Sequence, residues 1–133
     1  MKCSCLLALL LAIPCGVHAQ PRPVAQDLSF DAKAVASEAD KVLRGYFASA
    51  FYSKRGYDKD NPIIVAFDGR DCSNKPQKYV VVAYKPSDPA QHLLAAVFRV
   101  QPDGSYELEG EGPGMGKDVA GVMKTFVEGC HHK

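Results

Sequence analysis

Apolar positions along the chain recur with two periods, and the change between them divides it into elements. From Ser29 onward Val35, Ala39, Val42, Leu43, Tyr46, Phe47, Ala50 and Phe51 are spaced by threes and fours, which places them on one helical stripe. Ser29 is suited to cap the start, and Lys54, Arg55 and Gly56 form a basic last turn with a glycine behind it. The spacing predicts a helix over about 30–54. Gly45 inside it costs about 1 kcal/mol relative to alanine, which points to a close contact with a strand.

Beyond Gly56 the period falls to two. "PIIVAF" (62–67), "KYVVVAYK" (78–85), "LLAAVFRV" (93–100) and "SYELE" (105–109) are short, rich in β-branched and aromatic residues and bounded by turn-forming residues. "QPDG" (101–104) is a tight turn, and "KPSDPAQ" (85–91) has no room for a helix. Connections this short exclude parallel crossovers and leave an antiparallel meander. Tyr106 and Leu108 alternate with Glu107 and Glu109, so the last strand has one wet face, and the first helix is the natural cover for the other. Val119, Val122, Met123, Phe126, Val127 and Cys130 return to helical spacing and predict a second helix over about 117–129. The expected fold is α+β: an N-terminal helix, a four-stranded antiparallel meander, a C-terminal helix and one disulfide.

The residues before Ser29 follow neither period. Lys2, an uncharged run from Cys3 to Ile13, and small residues at Val17 and Ala19 have the form of a signal peptide, residues 1–19, cleaved before Gln20. The run is far shorter than the roughly 20 apolar residues a membrane span requires. Pro14 stands where lipidation of Cys15 would need a small residue, so simple cleavage is the better reading. Residues 20–28, beginning "QPRPVAQ", are expected to be a flexible leader to a single domain at 29–133.

Cleavage changes the cysteine count and the charge. Three of the five cysteines leave with the signal peptide, and Cys72 and Cys130 remain; in an exported chain they most simply pair. The 16 basic and 15 acidic residues become 15 of each once Lys2 is gone, and the basic ones are scattered among the acidic ones. A nucleic-acid binder would concentrate them on one face. Removing 19 of 133 residues leaves 114, enough for one small domain that gains from a staple.

The stretch "GEGPGMGKD" (110–118) most resembles a cofactor loop, since it links a strand to a helix and ends in a lysine. Tested by letter, it fails. The phosphate loop ending at Gly116 and Lys117 would need glycine at Glu111 and Ser or Thr at Asp118, and neither register of the dinucleotide motif places its third glycine. The glycines are therefore read as a corner and Asp118 as favourable to the helix dipole. Cys72 as a nucleophile, with His92 as base and Asp71 or Asp68 as orienter, is weaker than a disulfide. The histidines give no ligand set with metal spacing. Glu107 with Glu109 and Asp58 with Asp60 are i, i+2 carboxylate pairs without a cleft, and the first pair suits an edge that discourages strand addition. No catalytic, metal or cofactor residue is assigned.

What remains is a small exported protein, periplasmic or secreted and monomeric, that binds a protein partner and inhibits or neutralises it. It has no nucleic-acid partner and no membrane attachment after cleavage. The expected contact surface is Tyr57, Asp58 and Asp60 in one loop and Arg70, Asp71 and Lys75 in another, because loops on a rigid scaffold carry recognition. The alternative is a small-ligand carrier or small hydrolase, with a pocket between sheet and first helix lined by Tyr46, Phe47, Tyr79 and Phe98.

Overall fold

The computed structural model describes residues 22–23 and 31–130. The signal peptide and Ser29 lie outside them, as does most of the leader. Helix α1 spans Ala32–Ala48 and is capped by Asp31, whose carboxylate accepts from the backbone N–H groups of Lys33 and Ala34. This meets two of the donors that every helix start leaves open. The helix stops well before residue 54. Ser49 has extended backbone (φ −67°, ψ 134°), and its hydroxyl accepts from the N–H groups of Phe51 and Tyr52. A serine side chain that satisfies nearby N–H groups offers the backbone an alternative to the helix ladder. A separate 3-10 turn, Tyr52–Arg55, follows and closes at Gly56 in the left-handed region (φ 64°). Gly45 is exposed, with nothing within 4 Å of the place a Cβ would take, so no strand contact explains it.

Strand β1 is the two-residue segment Arg22–Pro23, and β2 (Ile63–Arg70), β3 (Pro76–Tyr84), β4 (Leu94–Val100) and β5 (Tyr106–Gly112) form the antiparallel meander. β1 lies along the outer side of β2, pairing Arg22 with Ala66 and Pro23 with Val65. That an edge position takes the proline is expected, since proline has no N–H to give a second neighbour. Helix α2 spans Val119–Cys130. The strands run further than the sequence pattern implied: "DGR" and "PQ" extend the first hairpin, and "GEG" belongs to β5.

Alternate side chains divide the core in two. Val80, Val82 and Tyr84 of β3 and Leu94, Ala96 and Phe98 of β4 face α1, where they meet Val35, Ala39 and Leu43. Tyr79, Val81 and Ala83 of β3 and Ala95 and Val97 of β4 face the opposite way, with Val122 of α2 buried among them and Met123 and Phe126 packed against them. The sheet is thus covered by one helix on each face. β3 and β4, central and buried on both sides, are accordingly apolar at nearly every position. Each fully buried Val, Leu or Phe there contributes about 1.5–3 kcal/mol, so the sheet centre is the rigid part of the molecule.

The meander gives the sheet two dissimilar ends. At the turn end are the β2–β3 turn (71–75), the β4–β5 turn (101–105), the start of α1 and the C-terminal end of α2. At the loop end are the 3-10 turn and the segments 56–62, 85–93 and 113–118.

Candidate functional site

The loop end carries the largest exposed aromatic side chain among the described residues. Phe51 is 65% exposed. It would have continued the buried stripe of α1, four residues beyond Phe47, but the chain leaves the helix at Ser49 and turns that ring outward. Around it the aromatic rings touch edge to face: Phe51 with Tyr52 at 4.9 Å between centroids, Tyr52 with Tyr46 at 5.3 Å, and Phe47 with Tyr84 at 5.1 Å. Two cations lie over this group. The Arg55 guanidinium is 5.7 Å from the Phe51 ring and 5.4 Å from the Tyr52 ring, and Lys59 Nζ is 4.9 Å from the Phe47 ring. Cations at these distances are attracted by the ring faces, worth about 0.5–1 kcal/mol each at exposed sites.

The base under these side chains is held by backbone. Ser87 N–H donates to the Arg55 carbonyl and Asp58 N–H to the Lys85 carbonyl, so the segment after the 3-10 turn is tied to the segment after β3. The Ser87 hydroxyl donates to the Gly56 carbonyl, and a Cβ on Gly56 would meet its oxygen at 2.1 Å. Gly56 is therefore required twice, by its φ and by its neighbour.

Tyr46 and Phe47 pack at the α1 face with buried Phe98, but Tyr79 lies on the α2 face, stacked on Phe67 at 5.3 Å and touching Phe126 at 5.1 Å. The four residues expected to line one pocket are divided by the sheet, because Tyr79 and Val80 are successive strand residues and Phe98 is opposite Val80. Tyr46 and Tyr79 have hydroxyl pKa values above the ordinary tyrosine value, chiefly through burial. The carboxylates of Glu111 at Tyr46 and of Glu109 at Tyr79 add to this.

The expected contact surface is divided too. Tyr57, Asp58 and Asp60 are at the loop end, whereas Arg70, Asp71 and Lys75 are at the turn end, with β3, about 30 Å long, between them. Tyr57 packs on Phe47 with its hydroxyl buried, and Asp58 accepts from the Asn61 side-chain amide through both oxygens. At the turn end Asp71 accepts from the N–H groups of Ser73 and Lys75 and from the Gln77 amide, and the Arg70 guanidinium donates to the Asn74 carbonyl. The bond from Lys75, then those from Gln77 and Ser73, hold the Asp71 carboxyl below its ordinary pKa. Cys72 is exposed in this turn, and His92 is at the loop end, so the two cannot act as nucleophile and base.

On the α2 face near the turn end, Arg99 donates to Glu107, which also accepts from Gln101, and Glu109 stands 4.0 Å from Arg99 Nε. The hydrogen bond from Arg99 lowers the Glu107 pKa. Glu107 is opposite Arg99 in register and Glu109 follows two residues later, at a bulge opposite Val97 and Phe98 that leaves Glu109 without a paired residue. Strict alternation in the sequence does not reveal that bulge.

The glycine-rich loop is folded onto the helix it precedes. Asp118 accepts from Gly121 N–H through its carboxylate and from Val122 N–H through its carbonyl. Leu93 N–H donates to the Gly116 carbonyl, and the Thr125 hydroxyl donates to the Met115 carbonyl. A Cβ on Gly116 would stand 2.6 Å from the backbone of Gly121 and of Val122. Of the N–H groups that open the helix, that of Gly121 is thus taken by the Asp118 carboxylate, whose charge also opposes a phosphate at this end.

Among the described residues no group of three or more His, Cys, Asp or Glu side chains is placed to hold a metal ion, and no helix is long and apolar enough to cross a membrane. Comparison with protein families, with curated proteins and with solved structures finds no match to the chain. The loop-end platform of Phe51, Tyr52, Arg55 and Lys59 is the arrangement that internal packing leaves facing outward.

Proposed function

We propose that the chain is exported and acts as a monomeric, non-enzymatic binding protein that engages a protein partner through the loop end, inhibiting or neutralising it. The observation that carries this reading is the exposed Phe51 ring under the Arg55 guanidinium, next to Tyr52. Exposing a phenyl ring that helical periodicity would have buried forgoes its burial energy, whereas aromatic and arginine side chains dominate the energetics of protein interfaces. The platform stands on backbone bonds between 55–58 and 85–87, so little order has to be acquired on binding.

Export rests on the form of residues 1–19, and it brings with it the Cys72–Cys130 bridge. Cys72 belongs to a turn at the same end of the sheet as the last turn of α2, and it is not a free side chain. An intact-mass measurement on exported protein should give a chain that begins at Gln20 without lipid; a diacylglycerol on Cys15 would overturn the assignment.

The binding reading is tested by capture from culture fluid or cell envelope with the purified chain and with a Phe51→Ala, Arg55→Ala variant. The variant should melt as the parent does and lose the captured protein. Undiminished capture by a folded variant would remove the loop end as the binding surface.

A further inference from the structure

We infer that the segment of the partner received by the loop end is acidic, with carboxylate side chains flanking an apolar or aromatic one. This rests on the binding reading above and adds the chemistry of the contact. Lys54, Arg55, Lys59 and Lys85 all belong to the loop end. Among the described residues none of the four is in an ion pair, a condition shared with Lys33, Arg70, Lys75 and Lys117, while Lys41, Arg44, Lys78 and Arg99 each have a carboxylate within 4.0 Å; Arg55 and Lys59 are set apart by their place over aromatic rings. Two acids of the same end are occupied locally: Asp58 by Asn61, and Asp88 by the N–H of Ala90.

Arg55 gives the site its geometry. Its guanidinium is held against two ring faces, at 5.7 Å and 5.4 Å, while its backbone carbonyl is fixed by Ser87. A guanidinium held by attraction to ring faces does not spend its N–H donors on them, and those donors match a carboxylate with two parallel bonds. A carboxylate there would leave the neighbouring residue of the same segment over Phe51. Lys59, above Phe47, is placed to meet a second carboxylate as a point charge.

Other polyanions fit less well. A nucleic acid presents a continuous line of phosphates and asks for a continuous basic track, whereas the cations of this end alternate with Asp58, Asp60 and Asp88 and suit a few separate carboxylates; the chain as a whole has 16 basic against 15 acidic residues. A bilayer needs an apolar face to insert, and Phe51 is the one exposed large apolar side chain among the described residues at this end.

The test is a titration of the isotope-labelled chain, followed by amide NMR, with four probes: the peptides Glu-Glu-Phe-Glu-Glu and Lys-Lys-Phe-Lys-Lys, phosphatidylserine vesicles and a single-stranded oligonucleotide. The acidic peptide should shift the amides of residues 51–59 saturably and bind more weakly as salt is raised. Arg55→Glu should weaken it about tenfold, and Lys59→Glu at an exposed position should weaken it several-fold. Binding of the basic peptide equal to that of the acidic one would overturn the inference, as would a response to the vesicles or oligonucleotide in its place. If partner capture requires Phe51 but survives Arg55→Glu and Lys59→Glu, the binding surface stands and its acidic preference fails.

Discussion

At the turn end, Asp71 and Asp103 organise two hairpin turns on one template. Asp71 N–H donates to the Lys75 carbonyl and Asn74 N–H to the Asp71 carbonyl; Gln101 N–H donates to the Ser105 carbonyl and Gly104 N–H to the Gln101 carbonyl. Each turn has a left-handed residue fourth, Asn74 (φ 65°) and Gly104 (φ 87°), the usual choices there. Their carboxylates accept from the turn's own N–H groups, and Arg99 is held by Glu107. At the loop end Arg55 and Lys59 lie over aromatic rings and the Phe51 ring faces outward. The turn-end carboxylates Asp71, Asp103 and Glu107 are satisfied within the chain, whereas the loop end sets two cations over rings beside the most exposed aromatic side chain among the described residues. Being a loop is therefore a poor guide to recognition; what matters is whether the loop's polar side chains already have partners.

The sharpest way to break this comparison is to cut the staple proposed for the turn end. Cys72→Ser with Cys130→Ser should lower stability by roughly 2–4 kcal/mol, seen in thermal melts as a drop on the order of 10 °C, while the loop-end platform still captures its partner at low temperature. Two free thiols in the native exported protein would remove the bridge.

Next in size is Gly116→Ala at the loop end, where the added methyl would strike the backbone of Gly121 and Val122 at 2.6 Å. We expect a loss of about 1–3 kcal/mol from overpacking, measured by denaturant melts, with the α2 face loosened more than the α1 face. Lys117→Ala alongside it should leave stability within about 0.5 kcal/mol, since Lys117 is exposed.

Acid should act on the turn end. Asp71, Asp103 and Glu107 all have pKa values below their ordinary ones, through hydrogen bonds from Lys75, Ser105 and Arg99 respectively. A carboxyl with a depressed folded pKa adds stability that is complete above its unfolded value, about 4, and is lost as pH falls through the lower folded value. Amide exchange at Ser73, Lys75 and Ser105 should therefore accelerate, after correction for intrinsic rates, between pH 4 and more acid conditions. The Ser87 amide, bonded to a backbone carbonyl, serves as the control. Equal loosening at both ends would show that the carboxylates do not set the difference.

The smallest effect is a gain. Gly45→Ala, in exposed helix with open space around it, should raise stability by up to about 1 kcal/mol and leave both ends as they are.

Much of the fold was legible because burial writes itself into periodicity. "YVVVAY" and "LLAAVF" declared strands, and the stripes of α1 and α2 declared helices. That both faces of the sheet are covered was also implied, in that β3 and β4 lack polar alternation, but an expectation of one covering helix missed it. The candidate site was hidden for the opposite reason. Phe51 has the spacing of a core residue, and only the Ser49 hydroxyl, through two bonds to the following N–H groups, takes it out of phase. Periodicity does not weigh a serine's hydrogen bonds against a helix that could have continued. The proposed pocket failed on parity, which could have been counted beforehand: Tyr79 is one residue from the face it was assigned to.

The crossing of Gly116 over Gly121 also bears on the order in which the molecule assembles. The loop that delivers α2 leans on Leu93 at the entrance to β4, and Val122 reaches its place only against Val81, Ala83 and Ala95. None of those surfaces exists until β3 and β4 have paired, whereas α1 can nucleate by itself from its Asp31 cap. Closing α2 onto the sheet is then expected to fall late on the folding route, which folding and unfolding rates of Gly116→Ala would check. Substitutions at the crossing would leave the folding rate nearly unchanged and act on the rate of unfolding, so the α2 face sets how long the native state lasts.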